Sequence, residues 1–319
     1  MPLSTADGPA RTVFFGSGEF AVPILEALVA APDVDLVGVV SAPDRPSGRR
    51  AALSPTPVAA RARELSLGLL QPARIRDEAA IREIAALHPD LGVLADYGQI
   101  VPAAILELPS HGILNVHPSL LPRHRGASPI PAAIVAGDPT TGVTIIRMDA
   151  GLDTGPIVAE EAWSLRGSET APDLEAHAAR AGARLVARSL PAWLDGSLTA
   201  RPQDESAATQ TRLLRKEDGR LDPGRPALEL ARQVRAFQPW PGSYVDTDAG
   251  RLTVWRATPS ALAFEDEPGR LVLHDRLPAL TTCDRRLVLD EVQPASGRRM
   301  SGEEFLRGRG RRLVTRSSD

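Results

Sequence analysis

The amino-acid sequence predicts an α/β protein in two parts, a doubly wound and mostly parallel sheet followed by a smaller β-rich domain. Over residues 1–200, short apolar segments alternate with segments of helical periodicity, which is typical of a parallel sheet covered by helices. Over the last third of the chain, short strand-like segments are separated by turns, which indicates a small β-barrel or sandwich. The chain of 319 residues is long enough for two domains, and its 43% hydrophobic residues are enough for a core in each.

The first part opens with the pattern strand, glycine turn, helix, strand. The strand is predicted at Thr12–Phe15, the helix over 20–31 and the second strand at Leu36–Ser41. The turn Gly16-Ser17-Gly18 lacks the third glycine of a dinucleotide fingerprint, so a tight strand-to-helix turn is favoured over a nucleotide site. This pattern is the beginning of a doubly wound domain.

The next stretch, residues 42–57, is predicted to be a long exposed loop. It contains four prolines, one glycine and the arginines Arg45, Arg49 and Arg50. Loops of this length in compact domains are usually functional or disordered. Two interpretations stay open, a surface excursion without a partner and a basic loop that contacts an anionic partner.

Strands and helices then alternate again up to residue 195. We predict helices at Val58–Leu65, Glu78–Leu87, Pro129–Ala136 and 172–195, and strands at Asp90–Ala95, 112–116 and Val143–Met148. Residues 196–211 lack aromatic residues and helical periodicity and are interpreted as a linker. Beyond it we predict a helix at 226–236 and strands at Ser243–Asp246, Leu252–Arg256, Arg270–His274 and Arg286–Leu289. The predicted domains are residues 1–200 and 212–319, with residues 201–211 as the linker.

Composition limits the possible functions. The net charge of −3 argues against a general nucleic-acid binder, although basic residues slightly outnumber acidic ones in residues 204–319. The single cysteine, Cys283, cannot form an internal disulfide, and no zinc-type ligand set is apparent. No signal peptide or membrane span is apparent either, so a cytoplasmic location is predicted, without a membrane or an obligate protein partner.

The most reactive side chains lie in residues 112–156. Asn115 and His117 are two apart at the end of a predicted strand, which places both side chains on one face. Asp153 follows in a glycine-rich turn. An amide can donate to an oxyanion, a histidine can move a proton near neutral pH, and a carboxylate can orient that histidine. Because no nucleophile motif is present, these residues predict direct acyl or one-carbon transfer through a tetrahedral intermediate.

The longer motifs around these residues resemble those of the folate-dependent formyltransferases. The similar stretches are Asn115-Val116-His117-Pro118-Ser119-Leu120-Leu121-Pro122, Arg125-Gly126-Ala127-Ser128-Pro129 and Met148-Asp149-Ala150-Gly151-Leu152-Asp153-Thr154-Gly155. Glycinamide ribonucleotide, sugar-nucleotide and methionyl-tRNA formyltransferases share these motifs, as do formyltetrahydrofolate-hydrolysing relatives. The resemblance implies a formyltransferase-type, Rossmann-like first domain.

Three further stretches resemble the methionyl-tRNA formyltransferases in particular. These are the loop PDRPSGRRAALSPTPV, the segment Lys216–Asp222 and the segment Arg235–Gly242. The resemblance implies an OB-like β-barrel as the second, tRNA-binding domain. The sequence departs from the family at Ala51 and Ala52, where lysines are frequent, and at Pro223, where tryptophan is usual.

The resemblance also implies the roles of individual residues. The catalytic residues are expected to be Asn115, His117 and Asp153, acting without a metal on 10-formyltetrahydrofolate and initiator methionyl-tRNA. The residues expected to bind the folate donor are Tyr97, Gly98, Ser119, Leu120, Leu121, Pro122, Asp149 and Gly151. The residues expected to bind tRNA are Arg45, Arg49, Arg50 and Lys216.

Other interpretations stay open at this point. A sugar-nucleotide N-formyltransferase would use the same chemistry, but the basic loop and the second domain argue against it. A folate- or RNA-binding protein without catalysis and a Rossmann-type dehydrogenase are the remaining alternatives. Arg125 is expected either to meet substrate charge or to stabilise its own loop, and His124 is expected to face solvent.

Overall fold

The computed structural model describes residues 8–47, 52–263 and 267–312. The helices are α1 Val22–Val29, α2 Pro57–Glu64, α3 Glu78–Ala85, α4 Ala103–Leu106, α5 Pro129–Ala136, α6 Ala171–Leu194, α7 Ala227–Ala236 and α8 Gly302–Arg307. The strands are β1 Ala10–Gly16, β2 Val34–Val40, β3 Arg45–Ser47, β4 Ala52–Ser54, β5 Leu69–Leu70, β6 Leu91–Ala95, β7 Ile113–His117, β8 Arg125–Gly126, β9 Thr140–Arg147, β10 Ile157–Ser164, β11 Gln210–Thr211, β12 Ser243–Thr247, β13 Gly250–Ala263, β14 Leu271–His274, β15 Leu277–Thr281, β16 Arg285–Pro294 and β17 Met300–Ser301.

The described residues divide into two compact units. The first consists of residues up to 129 together with 140–164 and 175–211. The second consists mainly of the residues from 212 onward, together with 130–139 and 165–174. Among the helices of the described residues, none combines the length and the hydropathy that crossing a bilayer requires.

The first unit contains a seven-stranded sheet in the order β10-β9-β7-β6-β1-β2-β5. The pairs from β7 to β5 are parallel, and β9 is antiparallel to both β7 and β10. The predicted mostly parallel α/β sheet is therefore confirmed. Since the strands β1, β6 and β7 run in one direction, their carboxyl ends meet at one edge, where α/β proteins place their ligands.

The central strands β1 and β6 are covered on both faces, which explains why they contain continuous apolar stretches. Successive residues of β1 belong to different clusters: Phe14 lies in one core cluster, whereas Val13 and Phe15 lie in another. The same holds in β6, where Val93 and Leu94 belong to different clusters. Strand side chains alternate between the two faces, so each central strand contributes to two cores.

The second unit contains an antiparallel sheet in the order β12-β13-β16-β15-β14, with β17 paired to β16. Leu230 and Val234 of α7 pack with strand residues such as Val254 and Leu289 in one core cluster. The predicted β-rich second domain is confirmed. The sequence patterns missed β15, and they underestimated β13, a 14-residue strand whose register shifts interrupt its alternation.

Two segments predicted to be irregular contain regular pairing. Of the described residues in the predicted loop at 42–57, those at 45, 46 and 53–55 are exposed, and β3 and β4 pair there as antiparallel strands. Arg49, Arg50 and Ala51 lie outside the described residues. In the predicted linker, β11 pairs in parallel with β8, so this stretch is attached to the first unit. Pairings of two or three residues are too short to leave a periodic signal in the sequence.

Candidate active site

Asn115 and His117 lie on β7, one of the central strands of the first unit. Being two residues apart, they point to the same side of the sheet, and they are 7% and 5% exposed. Asn115 pairs with Leu94 of β6 on one side and with Ile146 of β9 on the other. These neighbours fix the backbone of Asn115, and His117 pairs with Thr144 of β9. Strand β7 ends at His117, immediately before Pro118.

Asp153 comes from the turn after β9 and meets both side chains. Its Oδ1 accepts a hydrogen bond from Asn115 Nδ2 at 3.0 Å, and its Oδ2 lies 3.7 Å from His117 Nδ1. Oδ2 also accepts a hydrogen bond from the backbone N–H of Gly126 at 2.7 Å. The structure thus brings together the three predicted catalytic residues, although Asp153 is 38 residues from Asn115 along the chain.

The hydrogen bond of the His117 ring defines its tautomer. Nε2 lies 2.9 Å from the carbonyl oxygen of His124, and a carbonyl can only accept, so Nε2 carries the proton. Nδ1 is then the nitrogen that gains or releases a proton, and it faces the carboxylate of Asp153. A proton on Nδ1 produces an imidazolium beside a carboxylate, an arrangement suited to proton transfer.

The loop after β7 is held in place by the polar contacts of a buried arginine. Arg125 is 3% exposed, and its guanidinium donates to Gln203 Oε1 and to both carboxylate oxygens of Glu205. Glu205, through these hydrogen bonds, raises the pKa of Arg125. Of the two interpretations of Arg125, the structure therefore favours stabilisation of its own loop. The prediction that His124 faces solvent is wrong: the residue is 8% exposed, adopts a φ of 58° and has its carbonyl oxygen 2.9 Å from His117 Nε2.

Tyr97 and Gly98, predicted to bind the donor, follow β6 at the same edge of the sheet. The Tyr97 side chain is 2% exposed and packs edge-on against Phe15, with 5.9 Å between ring centroids. Burial raises the pKa of Tyr97 to about 12. Its hydroxyl has no hydrogen-bond partner among the described residues. Tyr97 is therefore a core residue whose ring is turned away from solvent, whereas Gly98 is exposed, with a φ of 73° and open space around it.

The predicted donor-binding segment Ser119–Pro122 begins two residues after His117. Ser119 is fully buried, and its hydroxyl donates to the carbonyl of Arg123 at 2.7 Å. Leu121 is 4% exposed and precedes a cis peptide bond to Pro122. The side chains of Ser119 and Leu121 thus take part in internal contacts, whereas Leu120 and Pro122 are partly exposed.

Asp149 and Gly151 belong to the turn that carries Asp153. Asp149 Oδ1 accepts hydrogen bonds from Gly151 N at 3.0 Å and from Thr154 Oγ1 at 2.7 Å. These contacts close the turn and leave Leu152 at its tip, 61% exposed. The two aspartates of the motif therefore differ in role, since Asp149 shapes the turn and Asp153 contacts the buried polar residues of β7.

The predicted tRNA-binding residues are distributed over both units. Arg45 is exposed on β3 of the first unit, and Lys216 is exposed at the start of a 3₁₀ turn, Lys216–Gly219, in the second. Arg49 and Arg50 lie outside the described residues. Within the described part of the chain, no group of three or more His, Cys, Asp and Glu side chains is arranged to hold a metal ion.

Sequence patterns missed the contribution of residues 203–211. Gln203 donates through Nε2 to the carbonyl oxygens of Asp153 and Gly155, at 2.8 and 2.7 Å. Thr209 Oγ1 accepts from the backbone N–H of His124 at 2.8 Å. The segment has no periodicity that would have pointed to these contacts, because side-chain hydrogen bonds between loops follow from tertiary structure alone.

Comparison with known proteins shows that this chain belongs to the formyl transferases. The family model described as "Formyl transferase" matches residues 10–190, and the model "Formyl transferase, C-terminal domain" matches residues 213–310. In the solved structures, the N-formyltransferase from Helicobacter canadensis in complex with folinic acid and dTDP-3-aminofucose resembles this chain with a TM-score of 0.67. That likeness covers 88% of this chain and 98% of the other at 15% identity, and it shows a shared fold.

Curated relatives narrow the class to one family. The methionyl-tRNA formyltransferase of Chloroflexus aurantiacus is 43% identical over 300 residues, which cover 93% of this chain and 96% of the relative. That of Bacillus licheniformis is 39% identical over 302 residues, covering 94% and 95%. The chain belongs to the methionyl-tRNA formyltransferase family. The family and the class of enzyme, a transferase, that the sequence motifs predict are thereby confirmed.

Proposed function

We propose that this protein transfers the formyl group of 10-formyltetrahydrofolate to the α-amine of methionyl initiator tRNA by direct attack. The observation that carries the proposal is the buried contact of Asp153 with both Asn115 and His117 at the carboxyl edge of the sheet, in a chain of this family. The folate donor is supported by the motifs around these residues and by the folinic acid in the structure of a protein with the same fold.

In this mechanism Asn115 stabilises the oxyanion of the tetrahedral intermediate. Its amide has two hydrogens, and the hydrogen bond to Asp153 uses one of them and orients the other. A preorganised donor of this kind contributes about 100-fold or more to the rate of acyl transfer. Asp153 thus acts on Asn115 as well as on His117.

His117 and Asp153 carry out the proton transfers of the reaction. The neutral amine of methionyl-tRNA attacks the formyl carbon, a new C–N bond forms, and the attacking nitrogen loses a proton to Asp153 through a water molecule. The bond from the formyl carbon to N10 then breaks, and N10 receives a proton from Nδ1 of the His117 imidazolium. Asp153 Oδ2, 3.7 Å from that nitrogen, stabilises the imidazolium before transfer.

The donor is proposed to bind along the segments that follow β6 and β9. Gly98 leaves open space at the first, and the turn Asp149–Gly155 forms the second. Each carries an exposed apolar side chain, Ile100 at 89% and Leu152 at 61%. Exposed apolar surface next to backbone hydrogen-bonding groups suits a flat pteridine ring, as in small-ligand sites generally. The remaining residues proposed to contact the donor are Tyr97, through its backbone, and Ser119–Pro122.

The tRNA is proposed to contact basic residues of both domains, since phosphate contacts supply much of the affinity for nucleic acids. The proposed domains are residues 1–200 for catalysis and 212–319 for tRNA binding, joined by residues 201–211. Arg45 and Lys216 are exposed, as such contacts require. Neutralising Arg49 and Arg50 together is expected to raise KM for initiator tRNA while kcat falls less. Unchanged kinetics in that double variant would exclude the loop from tRNA binding.

The decisive experiment incubates the protein with 10-formyltetrahydrofolate and charged initiator tRNA and analyses the product for formylmethionine. A parallel reaction with an amino-sugar nucleotide tests the alternative acceptor. Formylation of the sugar alone would refute the proposal. His117→Ala separates an enzyme from a binding protein, because it is expected to lose transfer while it retains binding of the donor.

A further inference from the structure

The backbone of Asp153 adopts a conformation that needs external support. Its φ is 55°, in the left-handed region, which residues other than glycine rarely occupy. Such conformations persist where the surrounding contacts hold them, and they are concentrated at functional sites. The contacts that hold Asp153 therefore determine where its carboxylate lies.

Gln203 supplies two such contacts. Its side-chain Nε2 donates to the carbonyl of Asp153 at 2.8 Å and to the carbonyl of Gly155 at 2.7 Å. Its Oε1 accepts from Arg125 Nε at 3.0 Å and from Arg125 Nη2 at 2.8 Å. Both donor hydrogens and both acceptor positions of the amide are thus used.

The hydrogen bonds of the Gln203 side chain hold both partners of one contact in the candidate active site, the hydrogen bond from Gly126 N to Asp153 Oδ2. Asp153 is on one side, and Gly126, whose N–H donates to Asp153 Oδ2, is on the other, next to Arg125. Gln203 binds the backbone of Asp153 through its nitrogen and the side chain of Arg125 through its oxygen. One amide therefore fixes the carboxylate relative to its backbone donor.

The same segment also fixes the carbonyl that orients His117. Thr209 Oγ1 accepts from His124 N at 2.8 Å, and the Thr209 carbonyl accepts from Arg125 N at 2.9 Å. Thr211 Oγ1 donates to the Arg125 carbonyl at 3.0 Å. Because the His124 carbonyl accepts from His117 Nε2, residues 203–211 support the partners of both His117 and Asp153.

We propose that Gln203 is a positioning residue that sets the Asp153 carboxylate against Gly126, Asn115 and His117. The proposal rests on the proposed function for its effect on formyl transfer. Gln203 itself touches neither reacting group. Its loss acts through the displacement of Asp153, and a displacement of about 1 Å in an active site reduces the rate by about 100-fold.

Two substitutions distinguish the effect of the hydrogen bonds made by the Gln203 nitrogen from the effect of those made by its oxygen. Gln203→Leu removes all four hydrogen bonds with a side chain of similar size. Gln203→Glu retains an acceptor for Arg125 but places a carboxylate oxygen against the Asp153 and Gly155 carbonyls, so it loses the two contacts that position Asp153. The matched control is Arg201→Ala, which removes an exposed ion pair with Glu160 and no contact of the site.

Two measurements apply to each variant. In steady-state formylation, both Gln203 variants are expected to lower kcat by about 100-fold, with little change in KM for tRNA. In hydrogen exchange, the Gly126 amide, which is bonded to Asp153 Oδ2, is expected to lose about tenfold of its protection. Amides of the central strand β1 report on global stability and should keep theirs. Arg201→Ala should match the wild type in both measurements.

The outcomes decide between positioning and a merely structural role. A Gln203→Glu variant with the kcat and Gly126 exchange of the wild type overturns the proposal, because the bond to Arg125 would then be sufficient. A loss of protection throughout the first unit also overturns it. If the wild-type protein transfers no formyl group, the proposed function fails, and the exchange at Gly126 still decides whether Gln203 positions Asp153.

Discussion

Replacing Asp153 by asparagine tests the arrangement of the candidate active site. Both carboxylate oxygens accept hydrogen bonds, Oδ1 from Asn115 Nδ2 at 3.0 Å and Oδ2 from Gly126 N at 2.7 Å. An asparagine amide has one acceptor and one donor end, so in either orientation its NH₂ group faces another donor. The substitution does not strain the backbone at residue 153, since asparagine tolerates positive φ as well as aspartate does.

The expected fall in kcat of Asp153→Asn follows from these contacts. A hydrogen bond to a charged acceptor contributes about 1.5–3 kcal/mol, which corresponds to about 10- to 100-fold in rate when the bond positions a catalytic group. The variant also loses the negative charge that lies 3.7 Å from His117 Nδ1. Together these effects predict a fall in kcat of about 100- to 1000-fold for Asp153→Asn.

Single-turnover formylation at saturating donor and charged tRNA measures this rate without contributions from product release. Asp195→Asn is a suitable control, because Asp195 caps the backbone N–H of Ser197 at 2.8 Å in an exposed turn. The control is expected to retain full activity. A folded Asp153→Asn protein with the wild-type rate would show that neither the charge nor the double acceptor matters, and it would refute the proposed mechanism.

Two further predictions concern the support of the site and the second unit. In Gly126→Ala, at a φ of 101°, the new Cβ would overlap the carbonyl oxygen of Thr211, so we expect kcat to fall and the free energy of unfolding to decrease by about 1–3 kcal/mol in urea titrations. Arg212, by donating hydrogen bonds, lowers the pKa of Asp218 to about 2. This pair stabilises the fold above the ordinary carboxyl pKa of 3.8, and the stabilisation disappears as the pH falls toward 2. Asp218→Ala should therefore unfold more easily than the wild type at pH 7, by at most about 1 kcal/mol because solvent screens the exposed guanidinium. The two proteins should converge below pH 2, where the carboxyl is protonated in both states. A difference that persists below pH 2 would exclude the ion pair as its cause.

The sequence predicted the parts of the site that depend on local regularities. A strand before Pro118 and a spacing of two residues suffice to place Asn115 and His117 on one face. The strands β1, β6 and β7 were located from their short apolar stretches, such as Val13–Phe15 of β1, which are typical of strands buried on both faces. His124 was predicted wrongly to face solvent, because its backbone contacts with His117 and Thr209 place it inside the loop, and backbone orientation in a loop has no compositional signal.

The contacts that residues 203–211 make with the candidate site depend on the path of the chain after α6. Gln203 lies 50 residues beyond Asp153 and 78 beyond Arg125, in a stretch whose composition is typical of a linker. A linker has to be long enough and polar enough for solvent. A segment that positions a catalytic carboxylate must also place individual hydrogen-bonding atoms within reach of their partners. The two requirements are compatible in one segment, because polar side chains that suit solvent also satisfy buried carbonyls and guanidinium groups. It follows that substitutions in residues 203–211 should be judged by their hydrogen bonds to the first unit. A change in linker length or composition that breaks the Gln203 contacts would act on kcat even if tRNA binding were unchanged.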